Sequence, residues 1–171
     1  MQKILVSACL LGERVRYDGC LLGLGLDHEV LRRWIQEGRV VPVCPEVAAG
    51  LAVPRPPAEI RGGAPGREVL SGTAEVVQPG GEIVTEAFVA GAAFALEAAL
   101  ALGIQVAVLK EGSPSCGSGS IHDGTFTGTK VRGSGVTTAL LRQAGIRVFS
   151  EGQFERADRW LKDLDRCEPG G

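Results

Sequence analysis

Three cysteines occupy equivalent positions, each after a predicted β-strand. Cys9 and Cys44 directly follow the first and second apolar runs of the chain, and Cys116 lies in the loop after the third. Because loops after parallel strands open on the same edge of a sheet, we expect the three thiols to converge there. Thiolates gathered in this way suit a metal or a substrate, whereas isolated buried cysteines behave as small hydrophobic side chains. The residue types alone leave both interpretations open.

The short cysteine spacings of common metal sites are absent from the sequence. It contains no Cys-x-x-Cys pair of the kind that binds zinc and no ferredoxin-type run of cysteines. Three thiolates would leave an open position on a four-coordinate metal, or on one iron of a cubane cluster, where a substrate could bind. The other two cysteines, Cys20 and Cys167, lie in a predicted loop and in a polar tail and are not expected in the site.

Other residue types near these cysteines could take part in chemistry. Glu46 stands two residues after Cys44 and could act as a general base on water, although a loop glutamate is more often a solvated surface group. The segment 112–120 is rich in glycine and serine, and its backbone N–H groups and hydroxyls suit an anion or the polar edges of a small ring, or simply a polar turn.

A thiol-dependent hydrolase is a rival interpretation. It would pair Cys116 as nucleophile with His122 as base, with Asp123 nearby, but the six intervening residues must then fold back. Several arginines fall in predicted loops and could line an anionic pocket, although scattered arginines are usually solvated. They are Arg14, Arg16, Arg55, Arg61 and Arg132.

The elements that must position these residues alternate between strands and helices. Apolar runs predict strands over 3–8, 39–43, 104–109 and 146–149, and helices are predicted over 27–37, 85–102 and 134–144. Asp27, Thr85 and Ser134 are the expected helix caps. This alternation is typical of an α/β fold, and we expect a single domain over 1–171 with an open parallel sheet and Rossmann-like βαβ units.

Residues of about 51–84 interrupt the alternation and are interpreted as a small irregular insertion. Its glycines and prolines predict hairpins that turn at Ser71-Gly72 and at 79–81. A long glycine- and serine-rich loop is predicted over 111–133. An amphipathic C-terminal helix is expected over about 151–164, with the last residues frayed.

Composition excludes several classes of protein. Eighteen Lys and Arg against 20 Asp and Glu give a net charge of −2, so the protein lacks the positive field that binding to duplex nucleic acid or an anionic membrane requires.

The apolar segment 87–109 is interrupted by Glu97, Gly103 and Gln105, which indicates a helix, a turn and a strand rather than a membrane span. Its alanine-rich helix could pack on the sheet, on another helix or on a second subunit, so a homodimer stays open. The five cysteines do not form the dense disulfide framework of a small secreted domain, so we expect the protein in the reducing cytoplasm.

The cysteine motifs together resemble the thiouracil desulfidase family. The resemblance runs in order from about Ile4 to Glu151 and rests on three groups of residues. These are Val6-Ser7-Ala8-Cys9-Leu10-Leu11-Gly12 with Val15-Arg16-Tyr17-Asp18-Gly19, then Cys44-Pro45-Glu46 with Gly50-Leu51 and Pro54-Arg55-Pro56-Pro57-Ala58-Glu59-Ile60, and then Ser113-Pro114-Ser115-Cys116-Gly117 with Asp123-Gly124-Thr125-Phe126.

The resemblance implies a 4Fe-4S cluster held by Cys9, Cys44 and Cys116, with one iron free. It further implies non-redox hydrolysis of the carbon–sulfur bond of thiouracil or a related thiopyrimidine or thionucleotide, with Glu46 and Ser113 as catalytic residues and hydrosulfide leaving on the free iron. Two alternatives stay open: a non-catalytic zinc-binding, cluster-binding or redox-sensing protein, and the Cys116/His122 hydrolase. The basic segment 130–135 would favour a phosphorylated thiopyrimidine.

Overall fold

A parallel sheet organises the chain, which a computed structural model describes over residues 1–22 and 26–167. In chain order the elements are β1 (Ile4–Ser7), α1 (Glu29–Gln36), β2 (Val40–Val43), α2 (Pro45–Ala48), β3 (Glu59–Ile60), α3 (Gly66–Leu70), β4 (Val76–Val77), α4 (Thr85–Ala101), β5 (Val106–Leu109), β6 (Ser120–His122), β7 (Lys130–Arg132), α5 (Val136–Gln143), β8 (Arg147–Ser150) and α6 (Phe154–Cys167). The molecule is an α/β single domain, as predicted.

The central sheet has the strand order β2-β1-β5-β8, and all neighbouring strands are parallel. Every residue of β1 and of β5 is buried, as expected for central strands covered on both faces. Pro42 has no N–H to donate, but it lies in β2, an edge strand that pairs with a neighbour on one side only. The two central strands deliver their carboxyl ends side by side.

Alternating side chains of β1 build two cores, one on each face of the sheet. Ile4 and Val6 pack with residues of α1 and α6, including Trp34 and Phe154. Leu5 faces the other way and packs with α4 and α5. A third core lies beneath the insertion, where side chains from β3, α3 and β4 pack against α4 and the start of α5; it includes Ile60, Val69, Val76, Phe88 and Val136.

The predicted hairpin at Ser71-Gly72 is wrong. The short helix α3 ends there instead, and the N–H groups of Thr73 and Ala74 both donate hydrogen bonds to the carbonyl of Glu68. The turn at 79–81 is confirmed, because Val77 pairs with Ile83 across it. The long loop predicted over 111–133 is also wrong in part, since β6 and β7 form an antiparallel pair within it.

All three predicted helix caps are wrong. Helix α1 begins at Glu29 after His28, α4 begins at Thr85 after Val84, and α5 begins at Val136 after Gly135. The Thr85 hydroxyl accepts the N–H of Val76 and so ties β4 to α4 rather than capping the helix. The α5 N–H groups are satisfied by carbonyls of the Cys116 loop, which removes the need for a side-chain cap.

The C-terminal helix is present but starts later than predicted. A 3₁₀ turn occupies Glu151–Gln153, with a capping box between Ser150 and Gln153, and α6 then runs on to Cys167. The predicted fraying falls on residues 168–171, which lie outside the described residues. Within the described ranges, no helix combines the length and apolarity that crossing a bilayer requires. Helix α4 and its end expose Phe94, Leu100 and Leu102, and the homodimer stays a prediction.

Candidate active site at the carboxyl edge of the sheet

One cavity of about 780 Å³ opens at the carboxyl ends of β1, β2 and β5. All five residues singled out as ligands or catalytic groups border it: Cys9, Cys44, Glu46, Ser113 and Cys116. Further polar and aromatic side chains line the same space, among them Arg16, Tyr17, Arg55, Glu59, Lys110, Glu111, His122, Phe126 and Lys130. The convergence expected from strand order is therefore present.

Cys9 is presented by a sharp turn after β1. The 3₁₀ turn Ala8–Leu11 ends at Gly12, whose φ of 80° is a left-handed conformation that glycine adopts without strain. The Cys9 side chain is buried. Burial, with a smaller contribution from the nearby Cys44, raises the pKa of this thiol to about 11, although the positive charges of Lys110 and Arg16 oppose the shift.

Cys44 lies between β2 and the short helix α2. Pro45 occupies the first helical position, where its missing N–H would have no intrahelical partner anyway, and Ala48 donates its N–H to the Cys44 carbonyl at 2.9 Å. The Cys44 Sγ lies 3.8 Å from the carbonyl oxygen of Val15. Burial raises the pKa of this thiol, and hydrogen bonds from the backbone N–H groups of Val47 and Glu46 partly offset that rise.

Cys116 is fixed by a turn built around Ser113. The Ser113 Oγ accepts the N–H groups of Ser115 and Cys116, both at 3.1 Å, and Gly117 donates its N–H to the Ser113 carbonyl. The hydroxyl of Thr138 in α5 donates to the Cys116 carbonyl at 2.8 Å. Burial is the main cause that raises the pKa of the Cys116 thiol, with Cys9 adding to it and a hydrogen bond with Ser7 opposing it.

Glu111 holds the rest of this loop, a role that the residue pattern did not predict. Its Oε1 accepts the N–H groups of Ser118, Gly119 and Ser120 at 2.9 to 3.0 Å, and its Oε2 accepts the Ser118 hydroxyl at 2.7 Å. Burial raises the pKa of Glu111, but these hydrogen bonds outweigh burial and lower it. Glu111 follows a buried strand and precedes a run of glycines and serines, but its partners are mainly backbone N–H groups, which residue types do not reveal.

Glu46 projects from α2 and pairs with Arg55. The Nε and Nη2 atoms of Arg55 lie 2.7 and 2.6 Å from the same oxygen, Oε2 of Glu46. The Arg55 side chain is only 7% exposed, and it also donates to the carbonyls of Val15 and Ala52. Oε1 of Glu46 has no hydrogen-bond partner among the described residues and is the oxygen left for chemistry.

The expectation that the loop arginines are solvated fails at Arg55. Arg16 borders the cavity as well but pairs with Asp18, while the exposed Arg61 pairs with Glu75 outside it. Arg14 and Arg132 do not line the cavity. The signal in the sequence for Arg55 is its place within a stiff proline-rich segment, which limits the positions that its side chain can reach.

The rival pair of Cys116 and His122 is not assembled. Both residues border the cavity, but His122 Nδ1 lies 2.9 Å from the carbonyl of Gly112, and the described residues contain no hydrogen bond between the two side chains. Asp123 bonds to Thr125 within its own exposed turn. Cys20 and Cys167 are exposed and lie outside the cavity.

The three cavity thiols fit a ligand with several metal atoms. All are free, so no disulfide consumes them. Among the described residues, no three or more His, Cys, Asp or Glu side chains are grouped so that they could hold a single metal ion. Soft thiolate donors on three separate loops around a cavity, rather than around one point, suit an iron–sulfur cluster better than a zinc ion.

Comparison with known proteins identifies relatives that match nearly the whole chain. The 2-thiouracil desulfurase family profile matches residues 4–153. An uncharacterized protein of Bacillus subtilis (strain 168), YbbK, is 49% identical over 151 residues, which cover 88% of this chain and 97% of YbbK. A solved structure, that of the 4Fe-4S-dependent thiouracil desulfidase TudS, superposes with a TM-score of 0.85 at 49% identity and covers 95% of this chain and 99% of TudS.

Proposed function

Since the chain belongs to the 2-thiouracil desulfurase family, we propose that it hydrolyses the carbon–sulfur bond of thiouracil or a related thiopyrimidine and releases hydrosulfide. The observation that carries this proposal is the meeting of three free thiols with the Glu46–Arg55 pair around one cavity. Five free thiols are also in keeping with a cytoplasmic enzyme.

Cys9, Cys44 and Cys116 are the residues that would hold a 4Fe-4S cluster. When bound by three cysteines, such a cluster supplies an iron with an open position that polarises a thiocarbonyl as a Lewis acid. The turns that present the thiols are built from backbone hydrogen bonds and buried side chains, so their positions are set before any ligand arrives.

Glu46 is the proposed general base. Its Oε2 is held by Arg55, and its free Oε1 would take the proton from a water molecule as that water attacks the thiocarbonyl carbon. The oxygen gained by the carbon comes from that water, and the sulfur leaves as hydrosulfide, so no electron donor is needed.

Ser113 has two roles in this proposal. Its oxygen already accepts two backbone N–H groups and thereby positions Cys116. Its O–H has no acceptor among the described residues and would donate to the substrate at the cavity wall. Loss of the hydroxyl would therefore affect both cluster binding and turnover, which sets Ser113 apart from Glu46.

Anaerobic turnover of 2-thiouracil, with uracil and released sulfide both counted, tests the function. We expect the wild type to form the two products in equal amounts. Glu46→Gln should keep its iron and lose roughly 10²- to 10⁴-fold in kcat, the usual contribution of a general base. The exposed Glu13→Gln is the matched control and should behave as the wild type. An iron-loaded wild type that binds thiouracil but releases no sulfide would contradict the proposal and support a binding role.

A further inference from the structure

Among the described residues, three glutamates line the cavity, and two of them are held by several partners within the protein. Glu46 is paired with Arg55, and Glu111 is surrounded by backbone N–H groups and the Ser118 hydroxyl. Glu59 is different. It lies on β3, in the insertion, and the function proposed above assigns it no role.

Glu59 is a buried carboxylate with one oxygen unused. The residue is 6% exposed, and its Oε2 accepts the N–H of Phe126 at 3.0 Å. Among the described residues, no cation pairs with this carboxylate, and its Oε1 receives no hydrogen bond. Because Glu59 lines the cavity, this oxygen is an acceptor that the N–H group of a bound ligand can reach.

The surroundings of Glu59 hold it in place. Phe126 is a non-glycine residue with a positive φ of 58°, a conformation that is uncommon outside glycine, asparagine and aspartate. The turn that carries Phe126 packs against the turn after β3, because a Cβ on Gly124 would lie only 2.6 Å from the backbone nitrogen of Gly62. Glu59 and Phe126 therefore face the cavity as one preorganised unit.

We propose that Glu59 is a specificity-determining residue that accepts a hydrogen bond from the ring N3–H of the thiopyrimidine. This inference rests on the proposed function. In uracil, N3–H lies between C2 and C4, so it borders the sulfur-bearing carbon in both 2-thiouracil and 4-thiouracil. A ring whose N3 carries a lone pair instead, as in 2-thiocytosine, would set two acceptors against each other and be rejected.

Glu59→Gln tests this assignment while keeping the Phe126 contact. The glutamine carbonyl still accepts the Phe126 N–H, and its NH₂ group turns a donor toward the cavity. We expect kcat/KM for 2-thiouracil to fall roughly 10- to 100-fold, the effect of losing one hydrogen bond to a charged group. The preference of the wild type for 2-thiouracil over 2-thiocytosine should shrink or invert. Glu82→Gln, exposed in the same insertion, is the control and should keep the wild-type ratio.

Binding of the sulfur-free bases gives a readout that needs neither turnover nor a variant. Titration calorimetry on the wild type should show uracil binding roughly 10- to 100-fold more tightly than 3-methyluracil or cytosine. Equal affinity of the wild type for uracil and 3-methyluracil, or an unchanged substrate ratio in Glu59→Gln, would overturn the assignment. A protein with the expected base preference but no sulfide release would instead overturn the proposed desulfuration and leave the recognition by Glu59 standing.

Discussion

At the scale of single residues, the site depends on side chains that orient other side chains. Arg55 places two nitrogens on one oxygen of Glu46 and anchors itself to two backbone carbonyls. The planar guanidinium allows these bonds at the same time, whereas an ammonium group cannot reproduce that geometry. Arg55 is thus a positioning residue for the proposed base.

Arg55→Lys should leave iron content and KM for thiouracil nearly unchanged and lower kcat. We expect roughly a 10- to 100-fold loss, because a small displacement of a catalytic group is enough to slow proton transfer to that extent. Arg61→Lys, an exposed arginine outside the cavity, is the matched control. A kcat equal to that of the wild type would show that Glu46 does not depend on Arg55 for its position.

Residue types predicted part of this site and missed the rest for a physical reason. Four site residues could be predicted because their thiols and carboxylate follow strands whose carboxyl ends must meet: Cys9, Cys44, Glu46 and Cys116. Glu111 could not, because its role consists of bonds to backbone N–H groups that exist only once the loop has folded around it. Such partners are not visible as residue types.

At the scale of elements, the position of Cys44 and Glu46 depends on how closely α2 approaches α4. Gly91 of α4 makes that approach possible, since a Cβ there would lie 2.3 Å from the carbonyl oxygen of Pro45.

The long apolar runs made the central strands predictable, whereas α2 has only four residues and offers too short a pattern to recognise. The pairing of β6 with β7 was likewise hidden in a sequence of glycines and polar residues.

Gly91→Ala should push α2 away from α4 and disturb Cys44 without touching the cavity directly. Overpacking of this kind destabilises a protein by about 1–3 kcal/mol, and we expect a lower melting temperature together with weaker iron retention. Ala93→Ser adds one heavy atom on the exposed face of the same helix and should change neither property. A Gly91→Ala protein that matches the wild type in both measurements would show that the close contact is not needed.

At the scale of the whole molecule, buried or partly buried carboxylates tie distant segments together and predict loss of stability in acid. Burial raises the pKa of Asp158, but its hydrogen bonds with Lys162, Arg33 and Trp34 outweigh burial and lower it. Asp158 thereby joins α1 to α6, and Glu111, which follows β5, closes the Cys116 loop. A carboxylate whose pKa is lowered by folding stabilises the protein above its unfolded pKa, and that contribution is lost as the pH falls through its folded value.

Thermal melting between pH 7 and pH 3 checks this expectation. The wild type should exceed Glu111→Gln and Asp158→Asn in melting temperature at pH 7. The two differences should shrink as the pH falls below 4.5 for Glu111 and below 3.8 for Asp158, their ordinary pKa values. Differences that stay constant down to pH 3 would show that these carboxylates do not stabilise the fold through their charged forms.

Cys9, Cys44 and Cys116 are proposed to hold one cluster together, and the iron content of the protein is the most direct test. Anaerobically reconstituted wild type should contain iron and acid-labile sulfide approaching one 4Fe-4S cluster per chain, with visible thiolate-to-iron absorbance. Cys9→Ser, Cys44→Ser and Cys116→Ser should each lose most of both, while Cys20→Ser, an exposed cysteine outside the cavity, should retain them. A wild type that takes up no iron, or an equal loss in Cys20→Ser, would show that these three thiols are not the cluster ligands.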